Sequence, residues 1–239
     1  MTGTERMCGC LDGSEEKRRA KRNGCGFLFL LLGIVCGGAM LFLALQYQHT
    51  SSVRPEDCYA DRIPQLHSTV DADRDGIDDQ VDILKGALDY VNTHPKYKSR
   101  YYQGGTPNDG YGVCTDVVAY ALKNAGYDLQ ALVDADIRED PQAYGITAPD
   151  ANIDFRRVRN LKVFFAHKAI ALTTDVSAVE QWQGGDIVIF AKHIGVVSDR
   201  RNQNGVPYVI HHNDPWQTAY EQDILERRND IVGHYRISK

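Results

Sequence analysis

The chain is expected to fold as an α+β domain behind one membrane-spanning helix, and three features of its 239 residues predict this. An uncharged apolar run fills residues 26–45. Helical periodicity marks two stretches beyond it, at 79–93 and 114–125. Short Val- and Ile-rich segments, two of them joined by a turn signal, fill the last part. Helices first and antiparallel strands after are the mark of an α+β layer arrangement.

The apolar run, "GFLFLLLGIVCGGAMLFLAL", has the twenty residues that a helix needs to cross the hydrocarbon core of a bilayer. Lys17, Arg18, Arg19, Lys21 and Arg22 stand just before it, and the first base after it is Arg54. The excess of bases on the N-terminal side predicts a single-pass plasma-membrane protein, with its N-terminus in the cytoplasm and the rest of the chain outside. A cleaved signal peptide fits less well, because the run is longer than a signal core and no Ala-x-Ala-like site follows it. A lipoprotein site at Cys36 is disfavoured by the bulk of Val35 before it.

The expected organisation is a basic cytoplasmic tail (1–25), the transmembrane helix (26–45), an extracytoplasmic linker (46–70), an acidic loop (71–82) and a catalytic domain (83–239). Val81, Leu84, Ala87, Leu88 and Val91 recur at helical spacing over 79–93. Residues 101–113 hold four glycines and a proline and read as a loop. Val117, Val118, Ala121 and Leu122 line one side of a helix over 114–125, which Gly126 stops. "DIVIF" (186–190), "HIGVVSD" (193–199), "PYVIHH" (207–212) and "IVGHYRI" (231–237) read as strands, and "NQNG" (202–205) as a hairpin turn.

Residues 46–239 carry 21 Lys and Arg against 28 Asp and Glu, so the soluble part is acidic and a nucleic-acid partner is not expected. Of six cysteines, Cys8, Cys10, Cys25 and Cys36 precede or lie in the apolar run, and only Cys58 and Cys114 follow it. Two cysteines make no disulfide framework, and Cys8 and Cys10 have no neighbours that complete a metal site.

Cys114 is placed where a glycine-bearing loop turns into a helix. The positive end of the helix dipole favours thiolate there. A thiol nucleophile needs a base within hydrogen-bond reach and a third group that orients the base. His193 opens one expected strand, and His211 and His212 end the next. A regular strand puts His211 rather than His212 on the side that faces His193. Cys114, His193 and His211 therefore form a candidate catalytic set.

"YYQGGTPNDGYGVCTDVVAY" resembles the segment around the nucleophile of NlpC-like cell-wall cysteine peptidases, a branch of the papain-like superfamily: Tyr101, Gly104, Gly105 and Cys114 match. "GGDIVIFAKHIGVV" resembles their Gly-Asp strand and histidine strand through Gly185, Asp186, His193 and Gly195, and His211 matches the later histidine. "GVCTDVVAYALKNAGYDLQ", "NIDFRRVRNL", "KHIGVVSD" and "VIHH" together resemble the bacterial family known as domain of unknown function 1287, over about residues 75–237. The resemblance implies a papain-like fold, Cys114 as nucleophile, His193 as general base, His211 as its orienting partner, and Tyr101 beside the Cys114 amide as an oxyanion donor. Thr115 and Asp116 depart from the Ser-Gly that usually follows the nucleophile, at positions expected to line the cleft. Phe155 replaces a histidine.

"DADRDGIDDQVD" (71–82) has the spacing of a calcium loop: Asp71, Asp73, Asp75, the carbonyl of Ile77, Asp79 and Asp82 as ligands, with Gly76 at the sharp turn. Asp82 replaces the usual bidentate Glu, so a weak, structural Ca2+ site is expected. Asp186 reads as a turn or strand-capping residue, and Arg156, Arg157 and Arg159 as a solvated or salt-bridged face. The expected activity is thiol hydrolysis of an amide bond, with peptidoglycan peptides as the substrate class. An inert envelope-binding or scaffolding module, or an acyltransferase working through the same thioester, are the alternatives.

Overall fold

The computed structural model describes residues 13–47 and 49–239 and divides the chain into two compact units, Met1–Tyr47 and Gln48–Lys239. Residues 1–12, with Cys8 and Cys10, lie outside the described residues, as do the side chains of residues 13–27.

Among the described residues, the first unit holds helix α1 (Gly13–Gln46). Its stretch Leu28–Leu45 is long and apolar enough to cross a membrane, and none of it is buried inside the protein. A helix apolar on all sides with nothing packed on it fits either a membrane span or a signal sequence.

The second unit starts with helix α2 (Asp79–Asn92), followed by β1 (Lys96–Tyr97), β2 (Tyr111–Gly112), α3 (Cys114–Asn124), α4 (Leu129–Glu139), α5 (Pro141–Tyr144) and α6 (Val158–Lys168). The strands follow, β3 (Ile170–Ala171), β4 (Ile187–Phe190), β5 (Ile194–Arg201), β6 (Pro207–Ile210), β7 (Glu221–Gln222) and β8 (Ile231–Arg236), with single 3-10 turns at Asp154–Arg156 and Val179–Gln181. Asp78 caps α2 by accepting from the Gln80 and Val81 amides. Gly126, at φ 82°, follows the C-cap of α3, in the left-handed region that glycine adopts at least cost.

The main sheet has the order β3-β8-β4-β5-β6-β7, and every neighbouring pair is antiparallel. The alternation of its residues builds two cores. Ile187, Ile189, Ile194, Val196 and Ile210 meet the helices, packed with Ile83, Val117, Leu122 and Phe165. Val188, Phe190, Val197 and Val209 face the other way, onto Trp182, Val206 and Leu225. Buried on both faces, β4 reads as the unbroken apolar run "IVIF". The Asn202–Gly205 turn closes the β5–β6 hairpin, with Gly205 at φ 81° and the Asn202 side chain accepting from the Asn204 and Val206 amides.

The expected linker is not free chain. Within 49–70, Ser51 bridges Ala219, the Cys58 amide donates to the Arg201 carbonyl, and the Thr69 amide donates to the Lys239 carbonyl. Polar composition suggested a tether, but those polar groups find partners on the domain. Cys58 and Cys114 are free thiols.

Candidate functional site

Cys114 is the first residue of α3. Asp116, one turn in, reaches back to the Val113 amide at 2.8 Å and so fixes the helix start. The amides of Cys114, Thr115 and Ile194 are directed at Sγ and favour the anion, as a helix N-terminus should. Burial outweighs them and pushes the thiol pKa up to about 11. The Ile194 amide is what places the thiol, because Ile194 begins β5 and follows His193 directly.

His193 lies just before β5 and is buried against Phe190, with ring centroids 5.9 Å apart. Its Nε2 is 2.9 Å from Nδ1 of His211, one of the two nitrogens donating and the other accepting. The register explains the pairing: Val196 faces Ile210, which sets Gly195 opposite His211 and His193 on its diagonal. A Cβ on Gly195 would meet Val209 Cγ1 at 2.6 Å and the Ile210 carbonyl at 2.9 Å, so the strand crossing needs a glycine. Burial, and then the charge of Arg228, which lies over the same Phe190 ring, lower the His193 pKa to about 4. His211 is pushed below its ordinary value by burial and by His193.

The raised thiol and lowered imidazole pKa values leave both in their neutral forms near pH 7. A resting thiolate was expected from the helix dipole, but three amides do not repay the loss of water around Sγ. Cys114 makes no hydrogen bond to either imidazole. The structure pairs His193 with His211 and sets Cys114 against the backbone of the residue that follows His193.

Tyr101 is not brought to this site. It is 56% exposed, and its hydroxyl is held by Asn152 at 3.0 Å. The tyrosine beside the thiol is Tyr97, four residues earlier, on the short strand that runs parallel to Tyr111–Gly112 just before Cys114. Its pKa is raised by burial, then by Cys114 and Asp214, and its ring meets His212 edge-on at 5.3 Å. Sequence reasoning missed it because its only signal was alternation over "KYK", too short to read.

His212 is buried between Tyr97 and Tyr220 and its pKa is lowered to about 4. Gln222 is a further side-chain partner of His211, whereas Nδ1 of His212 has no hydrogen-bond partner. Buried polar atoms are rarely left so, and the exceptions gather where a ligand or water completes them.

Thr115 and Asp116 do not line a cleft. Both are buried, Thr115 donating to the Arg156 carbonyl and Asp116 receiving a bidentate pair from Arg156 at 2.7 and 2.8 Å. Phe155 is a core residue. Asp186 is a structural hub that binds Arg236, His234, Gln80 and the Gln183 amide.

In the acidic loop, the carboxylates of Asp71, Asp73 and Asp75 offer oxygens within 4.8 Å of one another. Gly76, at φ 96°, makes the turn, and the Asp75 side chain accepts from the Ile77 amide. Asp82 is buried, and burial, then Asp75 and Asp73, raise its pKa to about 6. Asp79 does not fit the ligand set: it is turned into the domain, accepting from Tyr127 Oη and the Ala72 amide. The carboxylates that come together are those of Asp71, Asp73 and Asp75, hard-oxygen donors of the kind Ca2+ takes, while Asp82 is buried and accepts from Asn124 Nδ2 at 3.2 Å.

A protein of Escherichia coli (strain K12), "Uncharacterized protein YijF", is 39% identical to this chain over 151 residues, which is 59% of this chain and 72% of that protein. No solved structure matches. The family model "Domain of unknown function (DUF1287)" matches residues 84–237, so that Cys114, His193, His211 and Tyr97 all fall inside it. The chain belongs to the DUF1287 family.

Proposed function

We propose that the protein is a thiol hydrolase that cleaves an amide bond, with Cys114 as nucleophile, His193 as general base and His211 as the group that holds the base in place. The observation that carries this reading is the 2.9 Å hydrogen bond between His193 Nε2 and His211 Nδ1, beside a thiol set at a helix start against Ile194. It commits one nitrogen of His193 to orientation and leaves Nδ1 for the thiol proton. A neutral thiol–imidazole pair holds the right number of protons. As Sγ attacks the carbonyl carbon, its proton passes to His193, which then gives it to the leaving amine. The thioester formed on Cys114 is opened by water, with His193 again taking the proton. The Cys114 amide and the Tyr97 hydroxyl are the donors for the oxyanion, Tyr97 taking the part the resemblance gave to Tyr101.

The finer fold assignment, papain-like of the NlpC-like kind, is part of this reading, as is a plasma-membrane span with the domain outside the cytoplasm. Peptidoglycan peptides are the proposed substrate class, in line with that location and with the resemblance of the cysteine and histidine segments. Ca2+ in the acidic loop is proposed as a structural ion that ties the start of α2. The same site supports acyl transfer if an amine replaces water. Digestion of purified peptidoglycan, with released fragments read by mass spectrometry, tests the reading. Cleavage lost in Cys114→Ala and His193→Ala supports it. Cleavage that survives Cys114→Ala overturns it.

A further inference from the structure

Residues 50–54, which follow the last residue of α1, Gln46, by four positions, are built into the wall behind the candidate site. Thr50 is buried and its hydroxyl donates to the Gln217 carbonyl at 2.9 Å. The Gln217 side chain in turn donates to the His211 carbonyl at 2.9 Å and accepts from the Asn213 amide at 2.5 Å, so it clasps the backbone on both sides of His212. The Ser51 amide donates to the Thr218 carbonyl, and the Ser51 carbonyl accepts from the Tyr220 amide, each at 2.9 Å.

Tyr220 carries that attachment inward by three routes. Its carbonyl accepts from the His211 amide at 2.9 Å. Its ring meets His212 edge-on at 5.2 Å. Its hydroxyl donates at 2.7 Å to the carbonyl of Pro95, two residues before Tyr97. Arg54 pins the end of the stretch, with Nε and Nη2 each 3.0 Å from the carboxylate of Glu221, which pairs with Ile210 next to His211. Ser198 and Asp199 complete its partners. Thr50, Ser51 and Arg54 thus reach the backbone on both sides of His212, and Pro95 ahead of Tyr97, through Gln217, Thr218, Tyr220 and Glu221.

We infer that residues 50–54 are a positioning strap: seated, they hold Tyr220 and Gln217 so that His211 stays in hydrogen-bond range of His193 and Tyr97 beside Cys114. Unseated, they let the 211–220 segment relax, and the imidazole pair loses its geometry. The segment leading from the apolar helix thereby belongs to the site. The inference rests on the thiol–imidazole reading for its consequence, though not for its readout.

The test uses the full chain in detergent micelles with 15N-labelled histidine. Two signals are followed. Hydrogen exchange at the Tyr220 amide reports whether the strap is seated. The imidazole nitrogen shifts of His193 and His211 report their hydrogen bond. In Arg54→Ala and Ser51→Pro, Tyr220 exchange should rise at least tenfold, and the imidazole shifts should move to those of unpaired rings while the fold stays intact by circular dichroism. Thr50→Val should do the same to a smaller degree, Thr50→Ser should restore the wild-type shifts, and Val53→Ala, at a side chain 79% exposed, should change neither signal. A freely exchanging Tyr220 amide with the imidazole pair intact overturns the inference. So does a Tyr220 amide that stays protected in both Arg54→Ala and Ser51→Pro. Cys114 alkylation in His193→Ala, measured separately, judges the catalytic reading without bearing on these outcomes.

Discussion

Two clusters of buried histidine share one sheet and solve the same problem in opposite ways. Around Asp186, His234 gives Nε2 to the carboxylate at 3.0 Å, its Nδ1 is 2.7 Å from the Thr173 carbonyl, and its ring lies flat on Trp182 at 3.8 Å. Arg236 adds two hydrogen bonds of 2.8 Å. Apart from Gln80 Oε1, every side chain there has its partners. At the other end, His193 pairs with His211 and Gln222 is the further side-chain partner of His211, no carboxylate accepts from either ring, and His212 Nδ1 is unpaired. A charge-compensated cluster supports a fold. A neutral cluster with an open nitrogen beside a thiol is the kind that supports chemistry.

The sharpest way to break this contrast is at Asp186. Burial opposes its charge, but His234 and Arg236 hold its pKa below the usual carboxylate value. Asp186→Ala would leave Arg236 and His234 without their anion, at a cost of about 3–5 kcal/mol in chemical denaturation. A loss under about 1 kcal/mol would remove the structural half of the comparison.

Acid should expose the other half. His193 and His212 take up a proton near 6.5 in the unfolded chain and only near 4 in the fold. Between these values the unfolded chain binds more protons, so stability falls as pH drops from 6.5 toward 4 and is level above 6.5. Each ring contributes up to about 3 kcal/mol. Asp186 acts in the same direction, though only at lower pH, as its depressed carboxyl is protonated. His211, pushed below its ordinary value by burial and by His193, adds to the same fall. Equilibrium unfolding from pH 7.5 to 4 checks this, and His212→Phe should reduce the fall by roughly a third.

Calcium should stabilise by about 1.4 kcal/mol at ten times its Kd. The shift should shrink at pH 5, where Asp82, with a pKa of about 6, is mostly protonated. Thermal unfolding with calcium and with chelator reads it, and Asp73→Asn should abolish it. No shift at 10 mM would reject the ion.

The smallest effect belongs to the tyrosines. Tyr101→Phe should leave stability within about 0.5 kcal/mol and Cys114 reactivity unchanged. Tyr97→Phe should slow turnover roughly tenfold with little change in KM.

Much of this was legible in the chain. The α2 and α3 periodicities, the run "IVIF" and the "NQNG" turn placed the helices and the hairpin within a residue or two, because local pattern and burial agreed there. The pairing of His193 with His211 followed from strand adjacency. What could not be read depends on contacts distant in sequence. The strap needs residues 50–54 to meet 217–221, Tyr97 sits on a two-residue strand, and Asp79 fits a ligand spacing until Tyr127 claims it. The raised thiol pKa has a related cause: a helix dipole is visible in sequence, and the burial of Sγ in the fold is not.

The central claim, that His193 serves Cys114 as a base, is tested most directly by alkylation of the full chain with chloroacetamide at pH 7.5, followed by mass spectrometry of the Cys114 peptide. Cys58, an exposed free thiol in the same chain, is the internal reference. The account predicts that the ratio of Cys114 to Cys58 labelling falls at least tenfold in His193→Ala, and by a smaller factor in His211→Ala. An unchanged ratio in His193→Ala would contradict it.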